Sequence, residues 1–93
     1  MIKTKPGFLL RRLGDESMVI AIGEASESFN GMIRLNSTGV FYWELLEQGA
    51  TEDLLVAKTL ERFDGPDEAT ARQDVQEFLQ TISMALDFDA ENH

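Results

Sequence analysis

The sequence predicts an α+β domain, three antiparallel strands followed by three helices, and three observations carry that reading. Apolar and branched runs broken by turn-forming pairs fill residues 8–35, the pattern of a strand meander. From residue 36 onward apolar side chains recur at three- and four-residue intervals, the period of helices that face a core. With 93 residues, 43% of them hydrophobic, the chain suits one domain around one core. That domain is expected to span 1–93, with its ordered core over about 8–86.

Residues 1–7, polar and holding Pro6 and Gly7, read as a loose lead-in. Phe8 to Leu13 is the first strand and Gly14-Asp15-Glu16 its turn. Ser17 to Ile22 is the second, with Met18, Ile20 and Ile22 on one face and Val19 and Ala21 on the other. Both faces are apolar, which places this strand in the middle of the sheet. Gly23 to Ser28 reads as a loop and Asn30-Gly31 as a tight turn, since both residues of that pair tolerate positive φ. Met32 to Leu35 is the short third strand.

The remainder is helical. Asn36, Ser37 and Thr38 offer caps ahead of Val40 to Gln48, and Gly49 is the stop. Thr51 caps a second helix, with Glu52 and Asp53 where the helix dipole favours acids. Ala50 and Leu55 occupy the staple positions around that cap, and Val56, Leu60 and Phe63 share one face. Asp64-Gly65-Pro66 ends it, and Pro66 or Asp67 opens the third helix. Its apolar stripe is Ala71, Val75, Phe78, Leu79, Ile82 and Leu86, opposite Arg72, Gln73, Gln76, Glu77 and Gln80. The acidic tail from Asp87 is expected to fray. Two short helices and a longer one after a small sheet make a winged helix-turn-helix-like shape.

Composition excludes most chemistry. There is no cysteine, hence no disulfide, no zinc–cysteine site and no thiol nucleophile. The one histidine is His93, the last residue, so histidine acid–base chemistry has no foothold. The carboxylate pairs Asp15/Glu16, Glu52/Asp53 and Asp67/Glu68 sit in turns or helix starts, where capping explains them better than catalysis does. No glycine-rich phosphate loop and no EF-hand spacing occur. The expectation is a non-enzyme with no cofactor and no metal. A net charge of −9, from 17 acidic and 8 basic residues, opposes nucleic-acid binding. No signal peptide and no apolar run of membrane-spanning length is present, so the default compartment is the cytoplasm.

What remains is binding. If Met32, Ile33, Arg34 and Leu35 form a sheet edge, their backbone groups are open to an added strand. A neighbouring helix would supply the second wall of a groove, with Val75, Phe78 and Leu79 as pockets for alternate side chains. A stripe at helical spacing is more often core than groove, and Trp43, five residues into a helix, reads as a core anchor.

Leu35-Asn36-Ser37-Thr38-Gly39-Val40-Phe41-Tyr42-Trp43 resembles the Leu-Asn-x-Thr-Gly-x-x-aliphatic-Trp signature of the coenzyme PQQ synthesis protein D (PqqD) family. Thr51-Glu52-Asp53-Leu54-Leu55, leading to Leu60 and Phe63-Asp64, is similar to that family's second helix. Asp74-Val75 with Phe78-Leu79 is similar to its third-helix pattern. The resemblance covers residues 8–86. It implies a winged-helix peptide recognition element that binds the leader of a ribosomally made precursor peptide as an extra strand. That element presents the leader to a modifying enzyme, often a radical SAM enzyme. Carried over, the peptide-binding residues are Met32, Ile33, Arg34 and Leu35 on one wall and Asp74, Val75, Phe78 and Leu79 on the other. Asn36, Thr38, Gly39 and Trp43 hold the strand-to-helix junction. The chain departs from the family pattern at Tyr42, where an aliphatic residue is usual, and at Met84-Ala85-Leu86-Asp87-Phe88, where a Gly-Leu-type turn is usual. The expected partners are a precursor leader peptide and a radical SAM or other peptide-modifying enzyme, with no nucleic acid and no membrane. The expected assembly is a monomer or homodimer. The competing readings are a winged-helix DNA-binding regulator and a module that binds a folded protein.

Overall fold

In the computed structural model, which describes residues 1–29 and 31–90, the elements run in the following order. β1 (Lys3–Thr4), β2 (Phe8–Leu13) and β3 (Glu16–Ala21) come first, followed by a one-turn helix α1 (Ala25–Ser28) and β4 (Met32–Leu35). The long helices α2 (Ser37–Gln48), α3 (Glu52–Arg62) and α4 (Glu68–Thr81) follow, then a 3₁₀ turn over Ser83–Ala85 and β5 (Leu86–Asp87). Asn30 of the expected Asn30-Gly31 turn and the terminal His93 lie outside the described residues.

The main sheet is antiparallel in the order β2-β3-β4, so the two-sided apolar strand is central, as its pattern requires, and β4 is an edge. Gly14 starts the two-residue loop between β2 and β3 at φ 61°, a backbone conformation that side chains rarely adopt. The register puts Leu10, Val19 and Ile33 in one row, and Leu9, Ile20 and Met32 in the adjacent row. Strand alternation turns these rows to opposite faces. Leu10, Val19 and Ile33 pack into the core with the helices, whereas Leu9 and Met32 are exposed on the far side.

All three long helices begin as their caps dictate. Asn36 accepts from the Gly39 N–H at 2.8 Å, Thr51 from Leu54 at 3.1 Å and Asp67 from Thr70 at 2.8 Å, each side chain satisfying an N–H that the helix cannot. Trp43 and Leu46 of α2, Leu55 of α3 and Val75 of α4 meet Val19 and Ile82 at the centre of the core. Arg72 joins the starts of α3 and α4, contacting Glu52 at 2.7 Å, Asp53 at 3.0 Å and Glu68 at 3.5 Å.

Several local expectations are corrected. Residues 1–7 are not a loose lead-in, and the tail does not fray at Asp87. β1 pairs with β5 through Lys3 with Asp87 and Thr4 with Leu86, and Ile2 exchanges backbone hydrogen bonds with Ala50 at 2.7 and 2.8 Å. Ile2 is thereby buried in the core. The expected loop at 23–28 contains α1. On α3 the buried side chains are Leu55, Val56 and Thr59, and Leu60 is 39% exposed, so the core-facing stripe sits further round the helix than Val56–Leu60–Phe63. The last helix stops at Thr81, short of Leu86, which is buried from β5 instead. Among the described residues no helix is long and apolar enough to cross a membrane.

Candidate functional site

β4 leads into α2 after a single residue, Asn36, so the first turn of α2 must stand over the end of the edge strand. Gly39 makes that approach possible. A Cβ there would lie 3.3 Å from both the Leu35 Cβ and the Phe78 Cε1, tighter than most packed carbons tolerate. The glycine thus lets β4, α2 and α4 converge at one corner.

Beside that corner lies a cleft of about 390 Å³, within the range of small binding sites. One wall is Ile33, Arg34 and Leu35 of β4, and the start of α2 contributes Asn36, Thr38, Gly39 and Tyr42. The facing wall is Asp74, Glu77, Phe78 and Thr81 of α4, with Ile82. The Tyr42 and Phe78 rings meet at 5.1 Å between centroids. A hollow on the other side of α4, lined by Glu52, Gln76 and Phe88 among others, has no strand edge and so no free ladder groups to offer a chain.

Of the eight residues the sequence points to, Ile33, Arg34, Leu35, Asp74 and Phe78 line this cleft. Val75 and Leu79 do not reach it. They are 1% and 6% exposed and belong to the core, because each lies one residue, about 100° of helix, past Asp74 or Phe78. Met32 is 56% exposed and on the outer face of the sheet. Glu77, Thr81, Ile82 and Tyr42 line the cleft as well, beyond what the sequence predicts. Glu77 and Thr81 stand three and seven residues after Asp74, so the helical period itself held the signal. Asn36, Thr38 and Gly39 were expected only to hold the junction, and they form the cleft's end as well as capping α2.

The electrostatics are lopsided. The carboxylates Asp74 and Glu77 stand on the α4 wall, while Arg34 on β4 is held by Glu16 at 3.6 Å. Burial pushes the Tyr42 phenol above its ordinary pKa, the nearby Thr59 hydroxyl offsets part of that, and the Asp74 carboxylate raises it further.

Known proteins bear on this arrangement in two ways. The fold is that of TbiB1, solved in complex with the TbiA(beta) leader peptide, with a TM-score of 0.75 at 20% identity over 96% of this chain and 99% of that one. No curated protein sequence matches the chain. The model of the family described as coenzyme PQQ synthesis protein D (PqqD) matches residues 10–85, from β2 through the last turn and including every residue that lines the cleft, and the chain belongs to the PqqD family.

Proposed function

We propose that this chain is a non-catalytic adaptor: it binds the leader segment of a ribosomally made precursor peptide as an added strand on β4 and presents it to a peptide-modifying enzyme. The observation that carries the reading is the position of β4, an edge strand whose inward side chains Ile33 and Leu35 open onto a cleft walled by α4. An edge strand has main-chain N–H and C=O groups free for a new partner, and a cleft beside it takes alternate side chains of that partner. Family membership supports the same role, and TbiB1 supplies a chain of this fold with a leader peptide bound. The peptide-binding residues in this reading are Ile33, Arg34, Leu35, Asp74 and Phe78, joined by Gly39, Tyr42 and Glu77. Met32 flanks the added strand from the outer face, and Val75 and Leu79 support the α4 wall from behind. A radical SAM enzyme is one class of modifying partner that such an adaptor serves. DNA recognition is disfavoured by the last helix, where the one cation, Arg72, is held by Glu52, Asp53 and Glu68 and the cleft-facing side is acidic.

Affinity capture from native lysate, read by mass spectrometry, tests the reading. It is expected to return a short precursor peptide. That peptide, added to isotope-labelled protein, should shift the amides of 32–36 and 74–82. A captured peptide that perturbs only α3 overturns the site.

A further inference from the structure

Tyr42 is 2% exposed, lines the cleft, and carries a buried hydroxyl with no hydrogen-bond partner among the described residues. The neighbouring Thr59 hydroxyl donates to the Leu55 carbonyl at 2.7 Å; it lies near enough to the phenol to offset part of its raised pKa but makes no bond of good geometry with it. An aliphatic side chain would fill this place without stranding a polar group, so the phenol weakens the free fold. What it adds is a hydrogen-bonding oxygen buried behind the Phe78 and Ile82 side of the recess.

The rim beside it is anionic. Asp74 and Glu77 lie one helical turn apart on α4, both exposed, both lining the cleft. Neither is in a salt bridge among the described residues, and the one cation of the cleft, Arg34, is directed to Glu16. The whole chain carries −9, which deepens the same field. A side chain entering between β4 and α4 therefore meets apolar carbon from Phe78 and Ile82 in front of the buried Tyr42 phenol, with two carboxylates alongside that are in no ion pair among the described residues, Glu77 accepting from the Gln73 amide at 3.4 Å.

Resting on the peptide-binding reading above, we propose that the leader seated in this cleft carries a lysine or arginine whose head group is held by Tyr42, Asp74 and Glu77. A long basic side chain suits the recess: its stem packs on Phe78 while its head donates to the phenol and the carboxylates. A neutral apolar side chain would leave the hydroxyl unpaired, and an acidic one would face two like charges.

A displayed library of random linear peptides, selected on the full chain, tests this without knowledge of the natural leader. The expected result is a basic residue at one fixed position among the enriched binders. Replacing it with norleucine in a synthetic copy should weaken binding about tenfold. The double variant Asp74→Asn/Glu77→Gln, with both changes on exposed positions, should bind the basic peptide about tenfold more weakly and lose most of the preference for it over the norleucine copy. Tyr42→Phe should reduce the same discrimination without lowering the melting temperature. Binders that shift β4 and α4 amides yet share no basic position overturn this proposal and leave the adaptor reading intact. So does a basic preference that survives the double variant. A library that yields no binder on β4 overturns both.

Discussion

Gly39 shows how one residue joins fold and site. It stands in the first turn of α2, where glycine costs about 1 kcal/mol relative to alanine, and it is kept there by space, since a Cβ would crowd Leu35, Phe78 and Asn36 at 3.3–3.4 Å. For Gly39→Ala the gain in helix propensity and the crowding nearly cancel, so the melting temperature should hardly move. Gly39→Val adds methyls with nowhere to go and should cost about 1–3 kcal/mol, a fall of roughly 4–8 °C in melting temperature per kcal/mol by calorimetry. Because the push falls on Phe78 and Leu35, peptide affinity should drop further than stability alone explains. A Val variant as stable as the parent would show that the three elements leave more room at this corner than contacts of 3.3–3.4 Å allow. At this scale the sequence pattern was legible where chemistry repeats and opaque where direction matters. Asp74 and Phe78 share a family-like motif with Val75 and Leu79, but a motif does not say which way each side chain points. A turn of about 100° per residue separates the cleft pair from the core pair.

Elements announce their starts more clearly than their ends. Thr51 is legible in the sequence as a cap, because a short polar side chain before a periodic apolar run has one favourable use, whereas Asn36 stands beside Ser37 and Thr38, and Asp67 beside Pro66, and the structure selects Asn36 and Asp67. The Asp67 cap also gives α4 a pH dependence of definite sign. The Thr70 backbone N–H, and then its side chain, stabilise the carboxylate and hold its pKa below the ordinary aspartate value. A lowered folded-state pKa means that this contribution is fully present above the unfolded pKa, near 4, and is lost as pH falls through the folded value. Stability should therefore be insensitive to Asp67 from neutral pH down to about 4 and decline through it only below that. Asp67→Asn keeps an accepting oxygen without the titration. It should flatten the acid limb of a melting-temperature profile measured below pH 4 while matching the parent at pH 7. An unchanged acid limb would mean that other carboxylates govern acid unfolding. The apolar stripe of α3 was less legible: Leu55, Val56, Leu60 and Phe63 fit more than one helical face, and only packing against α4, with Thr59 buried and Leu60 left outside, selects one.

Across the whole molecule the least legible feature is the clasp between the two ends of the chain. β1 and β5 are two residues each, too short to show any period, and their pairing spans more than eighty positions, so no local pattern announces it. Its effect is nonetheless global. Ile2 is buried against the core and bonded to Ala50 at the α2–α3 junction, while Lys5 donates to the Ala85 carbonyl at 2.8 Å. The clasp thus closes the helical layer on the side away from the cleft, since none of these residues lines it. Burying an isoleucine contributes roughly 1.5–3 kcal/mol, and a domain of this length has only a modest reserve to lose. Removing residues 1–5 should therefore lower the melting temperature by about 10 °C. Ile2→Ala should reproduce most of that loss, which separates the buried side chain from the strand pairing. Below the transition, the amides of 33–36 and 74–82 should keep their positions and the peptide its affinity, because β4, α2 and α4 are held to one another by Gly39, Trp43 and Val75 and not by the clasp. If the truncated chain melts lower and also loses the peptide well below its transition, the ends of the chain are coupled to the cleft through α2, and scaffold and site are not separable.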